Sequence, residues 1–164
     1  QAQGRLRLML MGFPANISLS DMEHMVRQTG LDDCCVITGK VSDVPSHISA
    51  MDLGVVSSVG SEAIARAAFE IMSCGVPLVS TDVGVMPDLL QPEALVPAGD
   101  IESLAALLQS AIEVPAFREK LAADQAERMP SFSQTAFLEQ TLSAYREAIK
   151  LAQGHDQNKS QSGI

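Results

Sequence analysis

Ser58-Val-Gly-Ser-Glu-Ala-Ile-Ala-Arg-Ala-Ala-Phe-Glu-Ile-Met-Ser-Cys-Gly-Val-Pro-Leu-Val-Ser-Thr-Asp-Val-Gly84 decides the fold. It reads as a loop, a helix, a stop signal, a buried strand and a second loop. The spacing predicts a helix over Ile64 to Cys74. Ile64, Ala67, Ala68, Ile71 and Met72 fall at 0, 3, 4, 7 and 8, one apolar stripe of a 3.6-residue period. Gly75 supplies the left-handed residue that closes a helix, and Pro77 forbids its continuation. Leu78-Val79-Ser80-Thr81 is a short β-type run, and Asp82 and Gly84 suit the turn after it.

The polar positions of the same stretch are Glu62, Arg66 and Glu70. At i, i+4 and i+8 they read equally as a solvated charge ladder, worth a few tenths of a kcal/mol per pair. They also read as a binding face. Two helical turns would set the carboxylates about 12 Å apart. That span matches a ligand with hydroxyls at both ends and phosphates between, the phosphates meeting the N–H groups of a helix start.

Taken whole, the stretch resembles the signature of retaining glycosyltransferases of the GT-B fold, the group with a Glu-x7-Glu motif. The residues that carry it are Ser61-Glu62, Glu70-Ile-Met-Ser-Cys-Gly-Val-Pro-Leu-Val79 and Ser80-Thr-Asp-Val-Gly84. The resemblance implies that Glu62 lies by the donor sugar, as the catalytic residue, and that Glu70 binds the ribose. It also implies backbone contacts from residues 63–65, where the group usually has Gly-Phe-Gly and this chain has Ala63-Ile64-Ala65. Arg66 is then a candidate phosphate partner, because its fork suits phosphate oxygens. Lys40, after Gly39 at a strand end, is a second candidate, and reads equally as a surface lysine.

With 164 residues, 46% of them hydrophobic, few aromatics and no Trp, the chain suits one domain of aliphatic helices packed on a sheet. The net charge of −9 argues against nucleic acid or an anionic membrane as main partner. Cys34, Cys35 and Cys74 form no Cys-x-x-Cys and read as reduced thiols of a cytosolic protein. His24, His47 and His155 lack metal-ligand spacing, so no metal site is expected. No apolar run reaches membrane-spanning length and no signal peptide opens the chain. The expected location is cytoplasmic, with peripheral attachment at the inner membrane face allowed.

Elsewhere the pattern alternates. Leu6 to Met11 reads as a strand buried on both faces, and Ser20-Asp21-Met22-Glu23 as a capping box opening a helix that Gly30 closes. Cys35 to Thr38 is a strand, Val44 to Met51 a short helix, and Leu53 to Ser57 a strand. Met86 to Leu90 is a short helix and Ala94 to Val96 a strand. Asp100 caps a helix carrying Ile101, Leu104, Leu108, Ala111 and Ile112, and Pro115 opens another towards Arg128. Ser133 caps the last, with Phe137, Leu138, Leu142, Tyr145 and Ile149 on its apolar face. The order predicts an α/β class: a Rossmann-like parallel sheet with helices on both faces, over residues 1–152, followed by a disordered polar tail at 153–164.

The resemblance covers about residues 5–150. It implies the C-terminal, donor-binding half of a GT-B enzyme with its first strand and helix missing and its acceptor domain absent. Such a sheet would expose an edge, open to a second copy, a rearranged strand order or the N-terminal residues. The substrate implied is a nucleotide-diphosphate sugar of UDP, GDP or ADP type, with no tightly bound cofactor. The implied reaction is transfer of the sugar to an acceptor hydroxyl, the chain alone being inactive. Two other readings stand beside it. One is a GT-B-type nucleotide-sugar epimerase, to which His47 would be the local contribution. The other is a non-catalytic interaction module on the same fold.

Overall fold

Among the described residues each paired strand runs parallel to its neighbour, as strand–helix alternation requires. The structure, a computed structural model, describes residues 6–12, 16–60 and 63–161, with side chains through 151. Its contacts divide the chain into two units, Gln1–His47 and Ile48–Ile164.

In the first unit β1 (Leu8–Met11) pairs with β2 (Cys35–Gly39), with the register shifting between Leu10 and Met11. β1 is half-buried along its length, not enclosed on both faces as its apolar run suggests. A ladder of two strands leaves each strand only one neighbour to cover it. Between them lies α1 (Leu19–Gln28), capped by Ser18 and not by Ser20. Ser18-Leu-Ser-Asp21 has a similar box shape two residues earlier. The Ser18 hydroxyl accepts from the Asp21 N–H (3.2 Å) and also bonds the Asp21 carboxylate (2.6 Å). Gly30 takes φ 67° beyond its end. α2 (Val44–Ser49) ends two residues before the expected Met51 and spans the junction of the units.

The second unit holds a ladder in the order β3 (Gly54–Val56), β4 (Leu78–Thr81), β5 (Leu95–Val96). The α/β class stands, and among the described residues the ladders are β1–β2 in one unit and β3–β4–β5 in the other. All four residues of β4 are buried, so both faces of the central strand are covered. α3 (Arg66–Ser73) follows β3. Ala68, Ile71 and Met72 are buried on it, as the stripe predicts, whereas Ile64 lies outside the helix and is 77% exposed. Gly75 closes it at φ 72°, donating to the Met72 carbonyl. Gly54 is the residue on which α3 seats: a Cβ there would come within 2.6 Å of Ile71 Cγ2.

α4 (Met86–Leu89) adds the fully buried Met86 and Leu89 to the core. α5 (Ile101–Glu113) opens on Asp100, whose carboxylate accepts from the Ser103 N–H (2.9 Å) and hydroxyl (2.7 Å). Those bonds hold the Asp100 carboxyl below its ordinary pKa. α6 (Pro115–Arg128) places Leu121 and, unexpectedly for its type, Gln125 inside.

Gln125 has a specific task. β5 begins opposite Ser80, too late to meet Leu78. The Leu78 N–H and C=O on that side are instead taken by the Gln125 amide, at 2.9 and 2.7 Å. One side chain thus stands in for a strand's peptide group, which answers the requirement that buried backbone polar groups be paired.

α7 (Gln134–Gln161) is capped by the Ser133 hydroxyl, as expected. It continues past Gln153, where the polar composition predicts loss of order. Adding a residue to an existing helix is far cheaper than nucleating one, so a polar segment can follow an established helix. Its apolar stripe, Phe137, Leu138, Leu142, Tyr145 and Ile149, is 51–67% exposed.

Candidate functional site

The quoted stretch brings its features to the carboxyl ends of β3 and β4. β3 pairs with β4 only as far as Val56 opposite Ser80. Beyond that point two buried hydroxyls of β4 take over. Ser80 Oγ donates to the Val56 carbonyl (2.8 Å), sharing its proton with the Thr81 carbonyl (2.9 Å). Thr81 Oγ1 donates to the Ser58 carbonyl (2.6 Å). Asp82 organises the opposite side, its N–H donating to Val96 and its carboxylate accepting from the Ala98 N–H (both 2.9 Å).

From Ser58 the chain enters the loop that leads to α3. Glu62, the expected catalytic residue, lies outside the described residues. Ala63 and Ile64 are exposed in the bend before the helix. Ala65 is 3% exposed and holds φ 47°, ψ 41°, the one non-glycine at positive φ among the described residues. This left-handed conformation is easy for glycine and costs other residues about 1–2 kcal/mol. It stands where the resembled signature has its second glycine, so the backbone bend persists with an alanine in it. No side chain caps the start of α3.

Because α3 begins at Arg66, residue 62 is not on it. The conditional two-turn spacing between Glu62 and Glu70 involves a residue outside those described; what the structure adds is that Ala65 bends the backbone ahead of α3. Of the charge ladder, the described residues hold the Arg66–Glu70 pair. Arg66 Nε donates to Glu70 Oε1 at 3.0 Å, with the side chains 86% and 38% exposed. An exposed i,i+4 pair is worth about 0.3–0.5 kcal/mol. It leaves both groups available to a ligand that makes charged hydrogen bonds of about 1.5–3 kcal/mol each. Lys40 is exposed just after Gly39, in the other unit.

Two aromatic residues that sequence reasoning did not assign to the site support its helix. Phe69 on α3 meets Phe132 edge to face, with centroids 5.3 Å apart and planes at 69°. Glu70 is the next residue along. Among the described residues no group of three or more His, Cys, Asp or Glu is placed to hold a metal ion. None of the described helices is long and apolar enough to cross a membrane. A hollow of about 330 Å³ on α7, lined by Thr141, Ala144, Tyr145 and Ala148, is walled by that helix alone and has no acid–base pair for chemistry.

Comparison with known proteins shows the family and the fold. The family model of the group 1 glycosyl transferases matches residues 1–113, and the chain belongs to that family. It is 27% identical to the D-inositol 3-phosphate glycosyltransferase of Kineococcus radiotolerans, over 90% of this chain and 38% of that protein. It is 30% identical to the lipopolysaccharide core biosynthesis mannosyltransferase LpsB of Rhizobium meliloti, over 74% of this chain and 35% of that protein. Among solved structures, sucrose-phosphate synthase from Thermosynechococcus elongatus matches with a TM-score of 0.73 at 26% identity, over 88% of this chain and 39% of that one. Anabaena HepE, solved with UDP, matches with a TM-score of 0.74 at 19% identity, over 87% and 41%, a likeness of fold. The chain spans well under half the length of each of these relatives.

Proposed function

We propose that this chain is the donor-binding part of a retaining glycosyltransferase. It takes a nucleotide-diphosphate sugar of UDP, GDP or ADP type and serves transfer of the sugar to an acceptor hydroxyl. The observation that carries the reading is α3 itself. A helix without a side-chain cap starts from a tight left-handed bend at the strand ends, with Glu70 half-exposed on its second turn.

In this reading the start of α3 faces the diphosphate and Glu70 accepts from the ribose hydroxyls. Arg66, released from its weak pair, neutralises phosphate oxygens, and Lys40 is a further donor contact. The backbone of Ala63, Ile64 and Ala65 lines the approach, and Glu62 meets the sugar at the reacting face. Developing charge on the leaving diphosphate is stabilised by fixed donors and the helix terminus. The roles of Glu62 and Lys40 rest on the sequence resemblance. We further propose that the domain ends near residue 152 and that transfer needs an acceptor-binding domain, so this chain alone is inactive. A second copy is a secondary proposal, pairing along β3, an end strand of its ladder with Val55 41% exposed.

The test is the stereochemistry of donor use. The full-length protein is supplied with a panel of UDP-, GDP- and ADP-hexoses of α configuration, and the product anomer is followed by proton NMR. The reading expects one donor to be consumed with the α-linked product formed. A β-linked product, or none from the whole panel, contradicts it.

A further inference from the structure

Glu70 sits between two packed residues of α3, and we infer that Gly54 is a positioning residue for it. On one side of Glu70, Phe69 meets Phe132 edge to face. On the other, Ile71 is 8% exposed and lies directly over Gly54. A Cβ at residue 54 would stand 2.6 Å from Ile71 Cγ2 and 3.0 Å from its Cδ1. Carbon atoms in contact rest about 3.5–4.0 Å apart, so one methyl group at residue 54 requires a shift of about 1 Å.

The strand is not free to supply that shift. Gly54 pairs with Leu78, and its N–H donates to the Pro77 carbonyl at 2.8 Å. Leu78 is fully buried and is held from its other side by the Gln125 amide. Ile71 does not turn aside either, because a β-branched side chain in a helix has one strongly preferred χ1 rotamer. The element left to move is α3, eight residues long, on which Glu70 is the neighbour of the residue displaced. The missing side chain at residue 54 therefore sets how deeply α3 seats, and the seat sets where the Glu70 carboxylate stands. A shift of about 1 Å is enough to break a hydrogen bond made at about 2.9 Å. Gly54 is buried and acts through Ile71, without touching donor itself. Its bearing on donor binding rests on the ribose role of Glu70 proposed above, whereas the seating of α3 does not.

The experiment uses the full-length protein, with UDP, GDP and ADP titrated calorimetrically and hydrogen exchange followed at the amides of α3. The stoichiometry of each titration reports the folded fraction, so lost affinity is separated from lost protein. Gly54→Ala is expected to speed exchange in α3 about tenfold and to weaken about tenfold the diphosphate that the parent binds. In a Glu70→Ala background the same substitution is expected to change affinity by less than about twofold, because the group it misplaces is gone. Ile71→Ala removes the obstructing carbons and leaves a void, so in that background the sign reverses: adding Gly54→Ala is expected to tighten binding and slow exchange. This last comparison also serves if Gly54→Ala alone does not fold. Unchanged exchange in Gly54→Ala, or the same sign with and without Ile71→Ala, overturns the seat. An equal loss of affinity with and without Glu70, or no loss where Glu70→Ala alone weakens binding, overturns the positioning role. Glu70→Ala without effect on any of the three diphosphates, while residue 54 still governs exchange, leaves the seat standing and overturns the ribose reading, and the positioning role with it.

Discussion

Ala65 is the residue where local backbone and proposed function meet. Its left-handed conformation places the start of α3, and with it Arg66 and Glu70. Replacing it by glycine relieves about 1 kcal/mol of strain and returns a similar amount through the freer unfolded chain. Ala65→Gly is therefore expected to stay within about 1 kcal/mol of the parent in urea denaturation. Ala65→Val puts a β-branched residue at positive φ in a site 3% exposed, and is expected to lose roughly 2–4 kcal/mol. Equal midpoints for the two variants would show that the bend is not under this constraint. The sequence identifies this position through the missing Gly-Phe-Gly, but not its conformation. An alanine carries no signal of positive φ, and periodicity extended the helix back to Ile64 because apolar spacing is blind to where a backbone turns.

Among elements, β4 and the features around it were the most legible. Leu78–Thr81 forms the predicted strand, Gly75 closes α3, Pro115 opens α6 and Ser133 caps α7, because each signal is local chemistry. What the sequence hides is how a strand's polar groups are satisfied across distance. Gln125 sits 47 residues from Leu78, and a glutamine in a polar helix reads as solvent-facing. Gln125→Leu would keep the packing and orphan the Leu78 N–H and C=O together. The expected loss is roughly 2–4 kcal/mol by chemical denaturation. A change below about 1 kcal/mol would mean that water reaches Leu78 and the amide is dispensable. The pairing of Thr81 with Ser58 was hidden for the same reason. In the sequence Ser80 and Thr81 are part of a β-type run, and only their burial reveals hydroxyls that must find partners.

At the scale of the molecule, family membership was readable from the quoted stretch, whereas the arrangement of its strands was not. Alternation predicts parallel pairing but cannot choose which strands share a ladder; among the described residues the ladders are β1–β2 and β3–β4–β5. The stripe on α7 was found correctly by position, yet it is exposed, since periodicity marks an apolar face without saying what it meets. Under the proposed function, the net charge of −9 means that an anionic donor would have to be drawn in by a local feature against the global field. The helix start and Arg66 are that feature in this account, and Glu70 is its grip on the ribose. The decisive measurement is calorimetric titration of nucleoside diphosphate into the full-length protein, parent against Glu70→Ala. The account predicts an affinity lowered about 10- to 100-fold, the loss of one or two hydrogen bonds to a charged group. An affinity unchanged by Glu70→Ala would contradict it.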